Sequence, residues 1–153
     1  MNCWLLKTEP GCYSIDDLKR DKTTSWGGIR NYQARNMLRD GMQKGDLCVF
    51  YHSNAEPPCA AGICIVSKAG YPDPTQFDAR DDHFDEKSTD AEPRWFAVDV
   101  SFKEKLKNPV ALETMRRVAA LKNMELLRKG SRLSVMPLKK AELDEIVRLG
   151  NGG

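Results

Sequence analysis

Within eleven residues, Trp26-Gly27-Gly28-Ile29-Arg30-Asn31-Tyr32-Gln33-Ala34-Arg35-Asn36, the chain places two aromatic rings, two guanidinium groups and three side-chain amides. Arginine brings a planar fork of donors, an amide brings a donor and an acceptor side by side, and an aromatic ring brings a flat apolar face. The glycine pair permits positive φ and close approach of the backbone to another group. These are the parts that hold a flat, polar, hydrogen-bonding ligand such as a nucleobase. The competing reading is a glycine turn followed by a helix whose arginines stand in water. A second cluster, Tyr51-His52-Ser53-Asn54, falls where an apolar run ends, and loops at strand ends carry function. A third, Lys7 and Glu9, is a charge pair at an expected strand end. It reads either as the rim of a pocket or as a surface ion pair worth little.

Catalysis and metal binding find less support. His52, Ser53 and a carboxylate such as Asp73 would in principle supply base, nucleophile and orienter. Their spacing does not favour it, the chain holds two histidines, His52 and His83, and no nucleophile elbow or phosphate loop is present. The expectation is therefore not an enzyme. The five cysteines, Cys3, Cys12, Cys48, Cys59 and Cys64, include no CxxC pair and lack zinc spacing. Asp78, Asp81, Asp82, Asp85 and Glu86 lack calcium-loop spacing. No metal and no cofactor is expected. Met1–Lys7 is too short an apolar run for a secretion signal, and no stretch approaches a membrane span. Reduced thiols and a cytoplasmic protein are expected. A net charge of +2 argues against a nonspecific DNA coat.

The elements that must position these groups follow from periodicity. At 153 residues one domain is expected, over 2–149, with a flexible tail at 150–153. Cys3 to Lys7 predicts a short buried strand. Ser14, with Asp17 three residues on, predicts a capped helix, and Tyr32 to Arg39 a second. Leu47 to His52 alternates, with Leu47, Val49 and Tyr51 on one face and Cys48, Phe50 and His52 on the other. Ala60 to Ala69 predicts another strand, with Gly62 marking a close backbone approach. Gly70 to Glu92 predicts a long polar loop of the lid or binding kind. Trp95 to Phe102 alternates, Lys103 to Lys107 reads as a basic segment, and Asn108-Pro109 as a turn. Short helices are expected at Leu112 to Val118 and Lys122 to Arg128, a turn and strand at Gly130 to Val135, and a last helix between Pro137 and Gly150. Strands interleaved with short helices, without regular βαβ alternation, give a mixed α+β domain with a strongly curved sheet.

Six segments carry a resemblance: Trp4 to Pro10, Trp26 to Asn36, Phe50 to Ser53, Tyr71-Pro72-Asp73-Pro74, Pro93-Arg94-Trp95 and Ser131-Arg132-Leu133-Ser134-Val135. Together they resemble the EVE domain family, which includes bacterial single-domain proteins, over nearly the whole chain. The resemblance implies a PUA-like fold, a small curved β-barrel of about five to six strands with short helices packed around it, akin to YTH and ASCH domains. It implies a non-catalytic module that recognises a modified base, such as a modified cytosine in DNA, in an aromatic pocket. Gly27 stands where an acidic or polar residue is common in the family, and Thr8 where serine is common.

On that reading Trp26 is one pocket wall and Tyr32 or Tyr51 the other, while His52, Ser53 and Asn54 read the base edge. Lys7, Glu9, Arg30, Asn31, Arg35 and Arg132 form the rim or hold phosphates. The expected partner is nucleic acid, DNA with a modified base or RNA, bound by a monomer with no membrane contact. Two alternatives stand beside it: an enzyme acting on a modified nucleotide through His52 and Ser53, and a protein-interaction module in an RNA-processing or defence assembly.

Overall fold

The computed structural model describes residues 2–129 and 133–152. Six strands form one mixed sheet in the order β2-β5-β4-β3-β1-β6. They are β1 (Cys3–Thr8), β2 (Thr23–Trp26), β3 (Leu47–His52), β4 (Cys59–Pro72), β5 (Phe96–Ala111) and β6 (Val135–Leu138). β1 runs parallel to β3, and every other pairing is antiparallel. The ladder is open, with β2 and β6 at its edges, so the α+β class and the curvature hold while the strand hydrogen bonding does not close into a full barrel. Four register shifts between β4 and β5, and one between β3 and β4, bend the sheet.

Apolar side chains cover both faces. Cys3, Leu5, Val49 and Tyr51 point into one core, with Met115 and Ile146. Trp4, Leu6, Cys48 and Phe50 point into the other, with Ile15, Leu18 and Trp26. A strand buried on both sides reads as an unbroken apolar run, which is why β1 shows no alternation in its sequence. The four α-helices are α1 (Ile15–Asp21), α2 (Tyr32–Asn36), α3 (Leu112–Arg116) and α4 (Lys140–Gly150). Ser14 caps α1 in a reciprocal box with Asp17. α2 is shorter than its pattern suggested, because a π-helical turn takes over at Met37–Gly41. The helix expected at Lys122 to Arg128 is instead a 3-10 turn at Glu125–Leu127. Gly62 permits a close approach: a Cβ there would lie 2.6 Å from the Glu104 carbonyl oxygen.

Two expectations need correction. Lys103 to Pro109 is neither a separate basic segment nor a turn, because β5 runs on to Ala111, pairing Lys105 with Gly62 and Val110 with Ala60. β2 covers β5 only from Val98 to Ser101. Beyond that stretch β5 is an edge, where lysines and a proline are tolerated. The loop after β4 also carries structure of its own. Asp73 caps a 3-10 turn at Pro74–Phe77, and the buried Gln76 amide donates to the carbonyls of Asp73 and Trp95. Its acidic residues do turn chemistry: Asp78, Asp81 and Asp85 accept the backbone N–H two residues on. Among the described residues, no helix is long and apolar enough to cross a membrane, and no cluster of His, Cys, Asp or Glu is placed to hold a metal.

Candidate functional site

The C-terminal end of β1, strand β2 and the segment after it enclose a cleft of about 310 Å³. Its apolar walls are Trp26, Tyr13 and Ile29, and its polar edge is Lys7, Thr8, Thr24, Ser25 and Ser134. A wider groove of about 600 Å³ shares Lys7, Thr8, Ile29 and Ser134 and continues to Glu9, Asn31, Ser53 and His83.

Trp26 ends β2, and alternation turns it toward the second core, where Phe50 meets it edge to face at 5.5 Å. The residue is only 9% exposed. Its indole N–H nevertheless has no partner among the described residues, and it is not sealed from solvent. The other two tryptophans differ: Trp4 donates to Asp46 at 3.0 Å and Trp95 to Asp85 at 2.7 Å.

The segment after Trp26 is held from behind by Asp73, a carboxylate 45 residues beyond Gly28 and 43 beyond Arg30, and 2% exposed. It accepts the Gly28 N–H at 2.6 Å, Arg30 Nη1 at 3.1 Å, and both the N–H and hydroxyl of Thr75. Burial on its own would raise the Asp73 pKa, but the bonds from Gly28, Thr75 and Arg30 overcome it and hold the group below its ordinary 3.8. The double glycine follows from this packing. A Cβ on Gly27 would stand 2.9 Å from Asp73 Oδ2, and Gly28 adopts φ +73° beneath the His83 ring. A larger residue at position 27 would have to displace the Asp73 carboxylate.

The remaining expected site residues divide by what they touch. Arg30 is spent on the loop: besides Asp73 it donates to Thr75 Oγ1 and to the His83 carbonyl, and its guanidinium lies over Trp95. It is a strut and not a free phosphate donor. Arg35 likewise donates to the Arg94 carbonyl and lies over Tyr32. Tyr32 stacks on Trp95 at 4.8 Å, away from the cleft. Tyr51 cannot be a wall, since alternation sends it into the opposite core, where it is buried. His52 Nε2 accepts the Ile15 N–H at 3.2 Å, so its lone pair braces α1 and does not read a base edge. Burial lowers its pKa. Asn54 adopts φ +50° and donates to Glu9, so both are tied to each other. Asn31 caps α2 through its oxygen, leaving its amide nitrogen toward the groove that it lines with Ser53. His52, Ser53 and Asp73 do not assemble as a catalytic triad, because Asp73 is bound to Gly28 and Arg30. Arg132 lies outside the described residues.

Lys7 is the one expected cation at the heart of the cleft. It is half-buried, burial lowers its pKa, and among the described residues its ammonium has neither ion pair nor hydrogen-bond partner. Tyr13 and Ser25 carry no local signal, because they lie outside the segments with the family resemblance and reach the cleft through the fold; Ser134 lies inside one of those segments. Ile29 and Thr8 were within reach, since both stand inside the segments that carry the family resemblance.

Comparison with known proteins agrees over this whole architecture. The sequence profile of the EVE domain family matches residues 2–149. Thymocyte nuclear protein 1 of Gallus gallus is 41% identical over 165 residues, covering 95% of this chain and 67% of the relative. A crystal structure of a Pseudomonas syringae protein superposes with a TM-score of 0.91 at 42% identity, covering 97% of this chain and 99% of that one. The crystal structure of human THYN1 protein in complex with 5-methylcytosine-containing DNA gives a TM-score of 0.91 at 38% identity, covering 100% of this chain and 99% of that one.

Proposed function

The chain belongs to the EVE domain family, and from that premise we propose that it is a non-catalytic DNA-binding module that takes a modified cytosine into the cleft beside Trp26. The observation that carries this reading is an indole N–H and an ammonium, both without a partner among the described residues, lining one cleft of about 310 Å³. That volume lies at the small end of ligand sites, about 300–1,000 Å³, as suits a single pyrimidine. The structure of the human relative with 5-methylcytosine-containing DNA supports the choice of ligand.

The energetics decide which parts are needed. Extruding a base from a duplex costs a few kcal/mol. One aromatic stack returns about 1–3 kcal/mol, so Trp26 alone roughly cancels the flip. Affinity must come from edge hydrogen bonds, about 1 kcal/mol each net, and from phosphate contact. Lys7 stands where cleft and groove meet, in reach of both the base edge and an adjoining phosphate. The Asn31 amide and the Ser53 hydroxyl line the path of the backbone beyond it. Ile29 and Tyr13 supply apolar surface for the base substituent. Burying one methyl group is worth about 0.8 kcal/mol, so the preference for 5-methylcytosine over cytosine is about fourfold.

Fluorescence anisotropy with matched duplexes, one holding a single 5-methylcytosine and one a cytosine, tests the reading. Tighter binding of the modified duplex is expected. Trp26→Leu should lose that preference while the salt-dependent background persists. Equal affinity of the wild type for both duplexes would refute it.

A further inference from the structure

We infer that Arg116 and Arg117, at the end of α3, form a second surface outside the cleft that binds the DNA phosphate backbone without regard to sequence, so that the duplex leaves the cleft across the ends of β3, β4 and β5 and away from residues 74–92. The inference rests on the base-binding reading above and adds to it the path of the backbone.

The register of the sheet fixes where this surface lies. Thr8 pairs with His52, His52 with Cys59 and Cys59 with Ala111, so one row of residues crosses β1, β3, β4 and β5. The cleft and its groove open at the β1 end of that row, at Lys7, Thr8 and Ser53. α3 starts directly after Ala111, at the other end, where the Leu112 N–H bonds to the Pro58 carbonyl. Neighbouring strands lie about 4.8 Å apart, so three spacings put the start of α3 about 14 Å from Thr8. A DNA strand rises about 3.4 Å per nucleotide, so that separation spans about four nucleotides. The chain later comes back to the cleft, where the Lys7 N–H donates to the Ser134 carbonyl. Met115 is buried in the first core and fastens α3 there, while Arg116 and Arg117 beside it are exposed. Burial raises the Tyr51 pKa and the nearby Arg116 charge works against it, which agrees with a guanidinium close to the strand end that carries His52.

Charge decides the direction in which the duplex leaves. Residues 111–129 carry five cations and two carboxylates. Residues 74–92, which reach the groove on its other side at His83, carry two cations and seven carboxylates. A polyanion is drawn to the first stretch and repelled by the second. The cations nearest the acidic side, Arg30 and Arg35, are already bound to backbone carbonyls. Lys105 is held by Asp16 at 2.8 Å. Among the described residues, neither Arg116 nor Arg117 is paired with a carboxylate, so both forks are left for phosphate oxygens.

The test measures the salt dependence of binding by fluorescence anisotropy, with two duplexes identical except for one 5-methylcytosine or cytosine. Each phosphate contact contributes about 0.9 to the slope of log affinity against log salt. The double variant Arg116→Gln/Arg117→Gln should lower that slope by about 1.8, so a fourfold rise in salt weakens it about twelvefold less than the wild type. The ratio of affinities for the two duplexes should not change. Arg116→Lys/Arg117→Lys keeps the charge and should keep the slope, which separates phosphate contact from packing. Lys44→Gln/Lys139→Gln removes the same charge at the opposite end of the sheet, where Leu47 and Leu138 both pair with Cys3, and should leave the slope at its wild-type value. An unchanged slope in the Arg116→Gln/Arg117→Gln variant, or an equal fall in the Lys44→Gln/Lys139→Gln variant, would overturn this inference alone. Equal wild-type affinity for the two duplexes would overturn the base-binding reading, and no binding of either duplex would overturn both.

Discussion

Two buried aspartates, Asp46 and Asp73, each hold the backbone near a tryptophan of one apolar cluster, Trp4 and Trp26, and each of those regions has a hollow of similar size. At the first end Asp46 accepts the Trp4 indole N–H and the backbone N–H groups of Asn2 and Gln43. The hollow beside it, about 320 Å³, is lined by Asn2, Gln43, Lys44, Gly45 and Asp46, without an aromatic wall. At the second end Asp73 spends its bonds on Gly28, Arg30 and Thr75, and the neighbouring Trp26 has an N–H with no partner among the described residues. The volumes are nearly equal, so volume does not distinguish them. The difference is in what remains unpartnered. One carboxylate closes a corner by taking the indole, and the other builds a wall and leaves the indole for something else.

The largest expected effect follows from unmaking the second hub. Asp73→Asn leaves Arg30 without its buried counter-charge, and breaking such a pair costs about 3–5 kcal/mol. Urea unfolding should show that loss, and preference for modified DNA should go with it. The Asp73 pKa is depressed in the fold, so its contribution is present above the ordinary value of 3.8 and is lost as pH falls through the lower folded value. The gap in stability between wild type and variant should therefore narrow below pH 3.8.

Asp46→Asn is the counterpart at the closed end. Weakening hydrogen bonds to a charged group costs about 1.5–3 kcal/mol, again read by urea unfolding. The ratio of affinities for modified and unmodified duplexes should not change. A changed ratio would erase the distinction between the two ends.

Lys7→Met should move stability and binding in opposite directions. Removing a half-buried charge that has no partner among the described residues should stabilise the free protein by up to about 1 kcal/mol, while DNA affinity falls about fivefold, a loss of about 1 kcal/mol. The Lys7 pKa is depressed by burial, and a bound phosphate favours its charged form. Wild-type affinity should then decline at alkaline pH, beginning below the ordinary 10.5, and the variant should lack that decline. The smallest effect belongs to His52. Its pKa is lowered by burial, so its contribution to stability is present above 6.5 and is lost as pH falls through the folded value. His52→Gln should remove that weak pH dependence and leave base preference intact.

Much of the scaffold was legible in the chain itself. Alternation in β3 sorted Val49 and Tyr51 from Cys48 and Phe50, and the two sets enter different cores. The Ser14 and Asp17 box announced α1. The fold, and not the local pattern, separates Tyr51 from Trp26, because the two enter different cores. The extension of β5 through Lys103 and Pro109 was not legible, because an edge strand keeps its exposed positions polar and looks like a loop. The Asp73 hub was invisible for another reason: its bonds to Gly28 and Arg30 span 45 and 43 residues. Local pattern carries no trace of a partner that distant. The residue type alone marks Arg30 and Arg35, but guanidinium groups serve loops as readily as phosphates.

The central claim is that the base lies in the cleft beside Trp26. It is tested most directly by intermolecular nuclear Overhauser effects from a ¹³C-labelled 5-methyl group on cytosine in a bound oligonucleotide. Contacts from that methyl group to the Trp26 indole and to the Ile29 or Tyr13 side chains are the predicted result. Contacts confined to another surface, such as Lys44 and Gln43 beside Asp46, would contradict it.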